Sequence, residues 1–264
     1  MVDFLSRLGA ARDVAARHLA LALVPFVSAF LDITNIVRVV SFRGGHAGIT
    51  FRFPAAVVDY WTFASVPNQG GGVQATGTLL FVPVVIVVQA GLAAGYLGSI
   101  AEATESGRYD FVANVKRYAV PFLGYVAIAF LLGSGAVVLG LLGGPGGAAL
   151  LVLVLVPLFL IFGYLFYATP YLIVLRDAGL VAALEESYGY AIEGGAYAAF
   201  AVRYLVAVLL LSVVGTAFVN LGAVGIVVGA ALAAPVGLIF NVAVMEFVRD
   251  LETDSEATTS NSVA

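Results

Sequence analysis

Residues 170–188, PYLIVLRDAGLVAALEESY, decide the fold, because a long apolar run changes there into an amphipathic one. Arg176 and Asp177 mark the end of the apolar run. Small and apolar residues then recur at helical spacing, at Leu180, Ala183, Leu184, Ser187, Tyr188 and Ala191, whereas Glu185, Glu186 and Glu193 fall elsewhere. The pattern predicts a membrane-spanning helix followed by a helix that lies on the membrane surface.

The composition is that of an integral membrane protein. Of the 264 residues 62% are hydrophobic and 11% are charged, whereas a soluble domain carries roughly 25% charged residues. The chain has no cysteine, which excludes disulfides and thiolate metal sites. Acids outnumber bases 16 to 12, so we expect no nucleic-acid partner. Lys116 is the only lysine. An acidic composition that is poor in lysine suggests a halophilic source.

Six apolar runs predict an all-α polytopic bundle of six transmembrane helices with amphipathic interfacial helices. The runs are long enough to cross a bilayer as helices and lie at 18–40, 73–100, 118–142, 148–175, 203–221 and 223–247. We expect residues 1–250 to form this domain, with 1–17 as an interfacial helix. The acidic tail at 251–264 is too polar to pack and is predicted to be disordered and cytoplasmic.

Basic residues predict the orientation in the cytoplasmic membrane. With a cytoplasmic amino terminus, the bases on the inner side are Arg7, Arg12, Arg17, Arg108, Lys116, Arg117, Arg176, Arg203 and Arg249. The bases on the outer side are then Arg38, Arg43 and Arg52. This excess on one side favours cytoplasmic amino and carboxyl termini.

Connections between the spans carry two further predictions. The outer loop at 41–72 is rich in aromatic residues, which favours a re-entrant interfacial helix at 53–66 and leaves a ligand-binding lid as the alternative. The inner connectors at 102–118 and 176–197 both read as amphipathic segments between two spans, so a duplicated hairpin is a hypothesis.

Few polar side chains interrupt the apolar runs. The candidates for an intramembrane polar site are Asp32, Asn35, Gln89, Asn241 and Glu246. An ionised carboxylate in lipid costs several kcal/mol, so Asp32 is expected to face the bundle interior, a partner such as Arg38, or a water-filled pocket. Its position near the outer boundary also allows a solvated, structural role.

Catalytic constellations are missing from the sequence. His18 and His46 sit at a span boundary and in a loop, so neither is placed for an intramembrane serine protease. Glu185 and Glu186 resemble the paired glutamates of CAAX-type membrane proteases, but the accompanying motifs are absent. We therefore expect no catalytic, cofactor-binding or metal-binding residues.

Residues 177–188 carry a resemblance to a known family. Asp177, Gly179, Ala183, Leu184, Ser187 and Tyr188 follow the order acid, glycine, Ala-Leu, serine, aromatic after a long span. In this the chain resembles multi-span proteins related to the membrane domain found ahead of some bacterial glycerophosphodiester phosphodiesterases, which include stand-alone halophilic archaeal members. Arg176 departs from the pattern, and we expect no phosphodiesterase domain within these 264 residues. The resemblance implies a membrane module without catalytic residues to transfer.

The sequence leaves three functions open. The first hypothesis is a non-enzymatic membrane protein that organises lipids or a partner membrane complex through its surface helices. Its partners would be the lipid bilayer and a membrane protein or a second copy of the chain. The first alternative is a small-molecule or ion transporter, supported by prolines within the spans and by Asp32. The second alternative is a membrane-embedded hydrolase.

Overall fold

Helices are the only regular elements in residues 4–67, 82–142 and 144–262, which the computed structural model describes. In chain order they are α1 (Phe4–Arg17), α2 (Leu23–Leu31), α3 (Ile33–Ser41), α4 (Tyr60–Phe63), α5 (Val82–Ser106), α6 (Phe111–Leu142), α7 (Gly144–Phe166), α8 (Thr169–Leu175), α9 (Leu180–Glu193), α10 (Gly195–Val219) and α11 (Gly222–Ser262). A 3-10 turn, Leu19–Ala22, precedes α2.

Five helices in the described residues are long and apolar enough to cross a membrane. They are Val82–Ser106, Phe111–Leu132, Val156–Leu175, Gly195–Val219 and Gly222–Thr253. A sixth candidate is the pair Phe4–Arg17 and Leu19–Leu31, whose two parts meet at 98°. Large apolar side chains such as Leu131, Leu153 and Leu210 are mostly exposed on the outside of the bundle, where lipid would cover them. The predicted all-α, polytopic membrane fold is confirmed.

The predicted first span, 18–40, is broken rather than continuous. Asp32 separates α2 from α3 and has φ −85° and ψ 72°. Its carboxylate accepts a hydrogen bond from the Asn35 backbone N–H at 3.0 Å, so the side chain caps α3. The fourth span is likewise divided, because α7 ends at Phe166 and α8 starts beside Pro170. Part of the predicted second span, 73–81, lies outside the described residues.

The two inner connectors differ, which contradicts the prediction of an amphipathic segment at 102–118. α5 runs to Ser106 and α6 starts at Phe111, so only a turn joins them. Glu102 stabilises that turn, since its Oε2 accepts from the Asp110 backbone N–H at 2.9 Å and from Asn114 Nδ2 at 2.9 Å. The connector at 176–197, in contrast, contains the separate helix α9.

The predicted disorder at 251–264 is also wrong for the residues that the structure describes there. α11 continues to Ser262, and 263–264 lie outside the described residues. Leu251 packs against the core, and Arg176 Nε donates to Glu252 Oε1 at 3.2 Å. These contacts hold the start of the polar tail on the bundle in helical form.

The largest difference from the sequence prediction is at residues 51–67, here named the re-entrant segment, which enters the bundle instead of resting at its surface. Most of it has no regular secondary structure, and only α4 is helical, so the predicted helix at 53–66 is wrong in form. Residues 68–72 of the predicted loop lie outside the described residues. The side chains that the segment buries almost completely are Val58, Tyr60, Trp61, Phe63 and Ala64.

Glycines of α10 and α11 provide the space for the re-entrant segment. A Cβ at Gly237 would collide with the Val58 carbonyl, and one at Gly215 would collide with the Phe63 carbonyl. Interior backbone in a membrane protein must find its hydrogen-bond partners within the protein. These close approaches bring the segment next to the side chains that supply such partners.

Arg176 and His46 lie at opposite ends of the bundle, and each end is named after its residue. The Arg176 end holds α1, α9, the α5–α6 turn and residues 249–253 of α11, joined by ion pairs such as Arg7–Asp250 and Arg249–Glu105. The His46 end holds the α10–α11 turn, where the Asn220 side chain accepts from the His46 backbone N–H and donates to its carbonyl.

Candidate functional site

Asn241, in the middle of α11, holds the re-entrant segment inside the bundle. Its side chain is completely buried. Oδ1 accepts from the Val58 backbone N–H at 3.0 Å, and Nδ2 donates to the Ala55 carbonyl at 2.8 Å and to the Tyr171 hydroxyl at 2.7 Å. The Tyr171 hydroxyl in turn donates to the Ala55 carbonyl at 2.9 Å. One amide therefore satisfies both a donor and an acceptor of the buried backbone.

Asp59 caps α4 and ties it to α2. Its Oδ1 accepts from the Trp61 backbone N–H at 3.0 Å, and its Oδ2 accepts from the Ser28 hydroxyl at 3.0 Å. The Trp61 indole donates to the Ala29 carbonyl at 2.7 Å, which fixes the segment against the same helix. Its two carboxylate oxygens therefore join α4 to α2.

A cavity of about 390 Å³ lies between the re-entrant segment, α2, α5 and α6. Its charged and polar lining residues are Ser28, Asp32, Arg52, Asp59 and Gln89. Its apolar lining includes Leu92, Val126 and Phe130. With both carboxylates ionised, the lining carries two negative charges against one positive charge. Convergent polar groups on an otherwise apolar wall are typical of small-molecule sites.

The structure brings together only some of the polar residues that the sequence singled out. Asp32 and Gln89 line the cavity, and Asn35 supports Asp32 through an Nδ2 to Oδ2 hydrogen bond of 2.7 Å. Asn241 is buried behind the segment and serves its backbone. Glu246 lies near the Arg176 end, where its charged neighbours are Arg249, Arg7 and Asp250. Glu246 is therefore separate from the cavity.

Arg52 and Asp59 are the cavity residues that the sequence prediction missed. Arg52 entered only the count of basic residues on the outer side, and Asp59 was not singled out. The usable signal was an acid inside a short aromatic and apolar stretch, 53–66, because such a charge needs a polar partner wherever the stretch is buried.

The residues of the family-like motif lie at the Arg176 end and attach α9 to the bundle. Ser187 is completely buried, and its hydroxyl donates to the Leu165 carbonyl at 2.9 Å, close to the end of α7. Ala183 is also completely buried, and Leu184 lines an apolar cleft between α6 and α7. Asp177 pairs with Arg117 at 2.9 Å, Gly179 immediately precedes α9, and Tyr188 is exposed. The motif thus has a structural role in this chain.

Within the described residues, no group of three His, Asp or Glu side chains is arranged to hold a metal ion. The cavity beside Asp59 supplies polar groups that could hold a ligand.

No protein-family model, no curated protein and no solved structure matches the chain. The resemblance to the phosphodiesterase-associated membrane domain therefore stays a prediction from the residues of the motif.

Proposed function

We propose that this chain is a multi-pass protein of the cytoplasmic membrane that binds a small, positively charged solute beside Asp59 and carries it across the bilayer. The observation that supports it is the re-entrant segment, which places Asp59 and Arg52 opposite the break in the first span at Asp32. Irregular backbone at membrane depth is tolerated where protein buries it or where it lines a cavity, and transporters use such broken helices for their binding sites.

The charge of the cavity favours a cation. Asp32 and Asp59 both contribute carboxylates, whereas Arg52 is exposed and its charge is partly screened by solvent. A carboxylate in a site with little water is stabilised strongly by a cation at close range. Gln89 and the Ser28 hydroxyl add neutral hydrogen-bonding groups, and the apolar wall suits a small organic cation.

The positive-inside rule gives the proposed direction of access. Most basic residues near span ends lie at the Arg176 end, together with both α1 and the end of α11, so we place that end in the cytoplasm. The cavity is lined by the halves of α2 and α5 nearer the His46 end, and it would then open first toward the exterior.

A test uses purified protein in proteoliposomes, with uptake of K⁺, Na⁺ and tetramethylammonium measured separately. We expect uptake of at least one cation, reduced at least tenfold by Asp59→Asn. Glu185→Gln, an exposed acid on α9, is the matched control and should leave uptake unchanged. Uptake of none of these cations, or equal uptake by the Asp59→Asn protein, would contradict the proposal.

The organisation of lipids or of a partner complex is a second candidate. It is favoured by α9, which keeps large apolar side chains such as Val181 and Ile192 exposed at the Arg176 end. An exposed apolar face on a surface helix suits contact with lipid or with another membrane protein.

A further inference from the structure

A second cleft, of about 280 Å³, lies at the Arg176 end between α1, α10 and residues 247–253 of α11. Its charged lining residues are Arg7, Arg203 and Asp250. Its aromatic lining residues are Phe4, Phe200 and Phe247, and the small residues Ala196 and Ala199 leave room beside them. The cleft shares no residue with the cavity at Asp59.

The aromatic wall of this cleft is tightly packed. Phe200 and Phe247 stack with ring centroids 4.0 Å apart and an interplanar angle of 4°. Phe4 meets Phe200 edge-on at 5.4 Å, which attaches α1 to the other two helices. All three rings are buried, so the wall is a fixed part of the bundle and does not depend on a ligand.

The two arginines differ in their partners. Arg7 is almost buried, donates to Asp250 Oδ2 at 2.6 Å and lies over the Phe247 ring at 5.7 Å from its centroid. Arg203 is exposed and makes no ion pair with any residue that the structure describes. Since Arg7 and Asp250 neutralise each other, Arg203 leaves the cleft with one uncompensated positive charge. One anionic group would balance it.

An apolar strip continues from Arg203 along the surface of α10. Val202, Val206 and Leu210 are four residues apart on one face of the helix, and all are at least half exposed. A ligand with an anionic head at Arg203 and an apolar tail along this strip would cover both features. Free phosphate would pair with Arg203 but would leave the apolar strip uncovered.

We propose that this cleft binds an anionic phospholipid, with Arg203 holding the phosphate and the strip on α10 contacting an acyl chain. Basic pockets between spans on the cytoplasmic side are suited to lipid phosphate groups, which are attracted by charge and by hydrogen bonds from guanidinium. Arg7 is held in place by Asp250 and closes the cleft from the side of α1. This site is independent of the proposed transport function.

The test uses the full chain in mild detergent with phosphatidylglycerol or phosphatidylcholine added at equal concentration. Retained lipid is measured by native mass spectrometry, and thermal unfolding is measured in parallel. We expect phosphatidylglycerol to be retained at least fivefold more than phosphatidylcholine and to raise the Tm. Arg203→Gln should remove this preference, and Ala199→Leu, which reduces the space in the cleft without changing its charge, should lower retention as well.

Arg12→Gln is the matched control, because Arg12 is an exposed arginine of α1 that does not line the cleft. It should retain phosphatidylglycerol as the unchanged chain does. Equal retention of the two lipids, or full retention by the Arg203→Gln protein, would overturn the proposal. Stabilisation by inorganic phosphate as large as that by phosphatidylglycerol would replace the lipid with a free anion and would overturn it too.

Discussion

At the scale of single residues, one amide decides where the re-entrant segment lies. Asn241 contacts backbone groups at Ala55 and Val58, more than 180 positions earlier in the chain. The sequence marks Asn241 as unusual, because an amide in an apolar span needs partners. It does not reveal those partners, since hydrogen bonds over such a separation follow no local pattern. Asp59 was missed for the same reason.

Replacing Asn241 with leucine should destabilise the protein by about 3 kcal/mol, because the buried Val58 N–H loses its partner and the Ala55 carbonyl keeps only the Tyr171 hydroxyl. Trp61 is the only tryptophan, and it lies in the re-entrant segment, so its fluorescence during thermal unfolding in detergent reports on this region directly. Gln89→Leu is the matched control, since Gln89 makes no hydrogen bond to other described residues, and should leave the Tm within a degree or two. Equal Tm values for both variants would contradict the role assigned to Asn241.

At the scale of elements, α9 is the helix that the sequence predicted best. Its amphipathic pattern is local, so the buried positions Ala183 and Ser187 follow from spacing alone. The breaks in the spans are harder to predict from the sequence. Asp32 could have been read as a helix cap, with Asn35 three residues later, but the apolar residues on both sides hid it. Similarly, the connector at 102–118 has polar residues at helical spacing, and these turned out to stabilise a turn.

Ser187 provides the prediction at this scale. Its hydroxyl donates to the Leu165 carbonyl, so Ser187→Ala should lower the stability by about 1–2 kcal/mol and loosen α9 from α7. Limited proteolysis between Asp177 and Gly194, together with the Tm, measures both effects. Ser106→Ala changes an exposed serine at the end of α5 and is the control. Proteolysis at an unchanged rate in the Ser187→Ala protein would mean that other contacts hold α9.

At the scale of the whole molecule, hydropathy predicted the helical bundle, because a chain in lipid has few ways to satisfy its backbone hydrogen bonds. A segment that crosses the hydrocarbon must satisfy its backbone internally, so long apolar runs become helices whatever their detailed sequence. The re-entrant segment is mostly not helical, since it is short and is buried in protein, where other residues satisfy its backbone. The bundle has an acidic cavity nearer the His46 end, and at the Arg176 end it has a cleft in which Arg203 makes no ion pair with any described residue.

Cysteine accessibility tests this arrangement most directly, because the chain has no native cysteine. Single substitutions Ala47→Cys, Val58→Cys and Glu185→Cys place a thiol at the exposed His46 end, in the buried re-entrant segment and on exposed α9. Val58 is completely buried and does not line the cavity beside Asp59. With a membrane-impermeant maleimide, we predict that the Ala47→Cys protein reacts in intact cells and that the Glu185→Cys protein reacts only after permeabilisation. The Val58→Cys protein should react in neither case until it is denatured. Labelling of Val58→Cys as fast as that of Ala47→Cys would contradict the re-entrant segment, and labelling of Glu185→Cys in intact cells would reverse the proposed orientation.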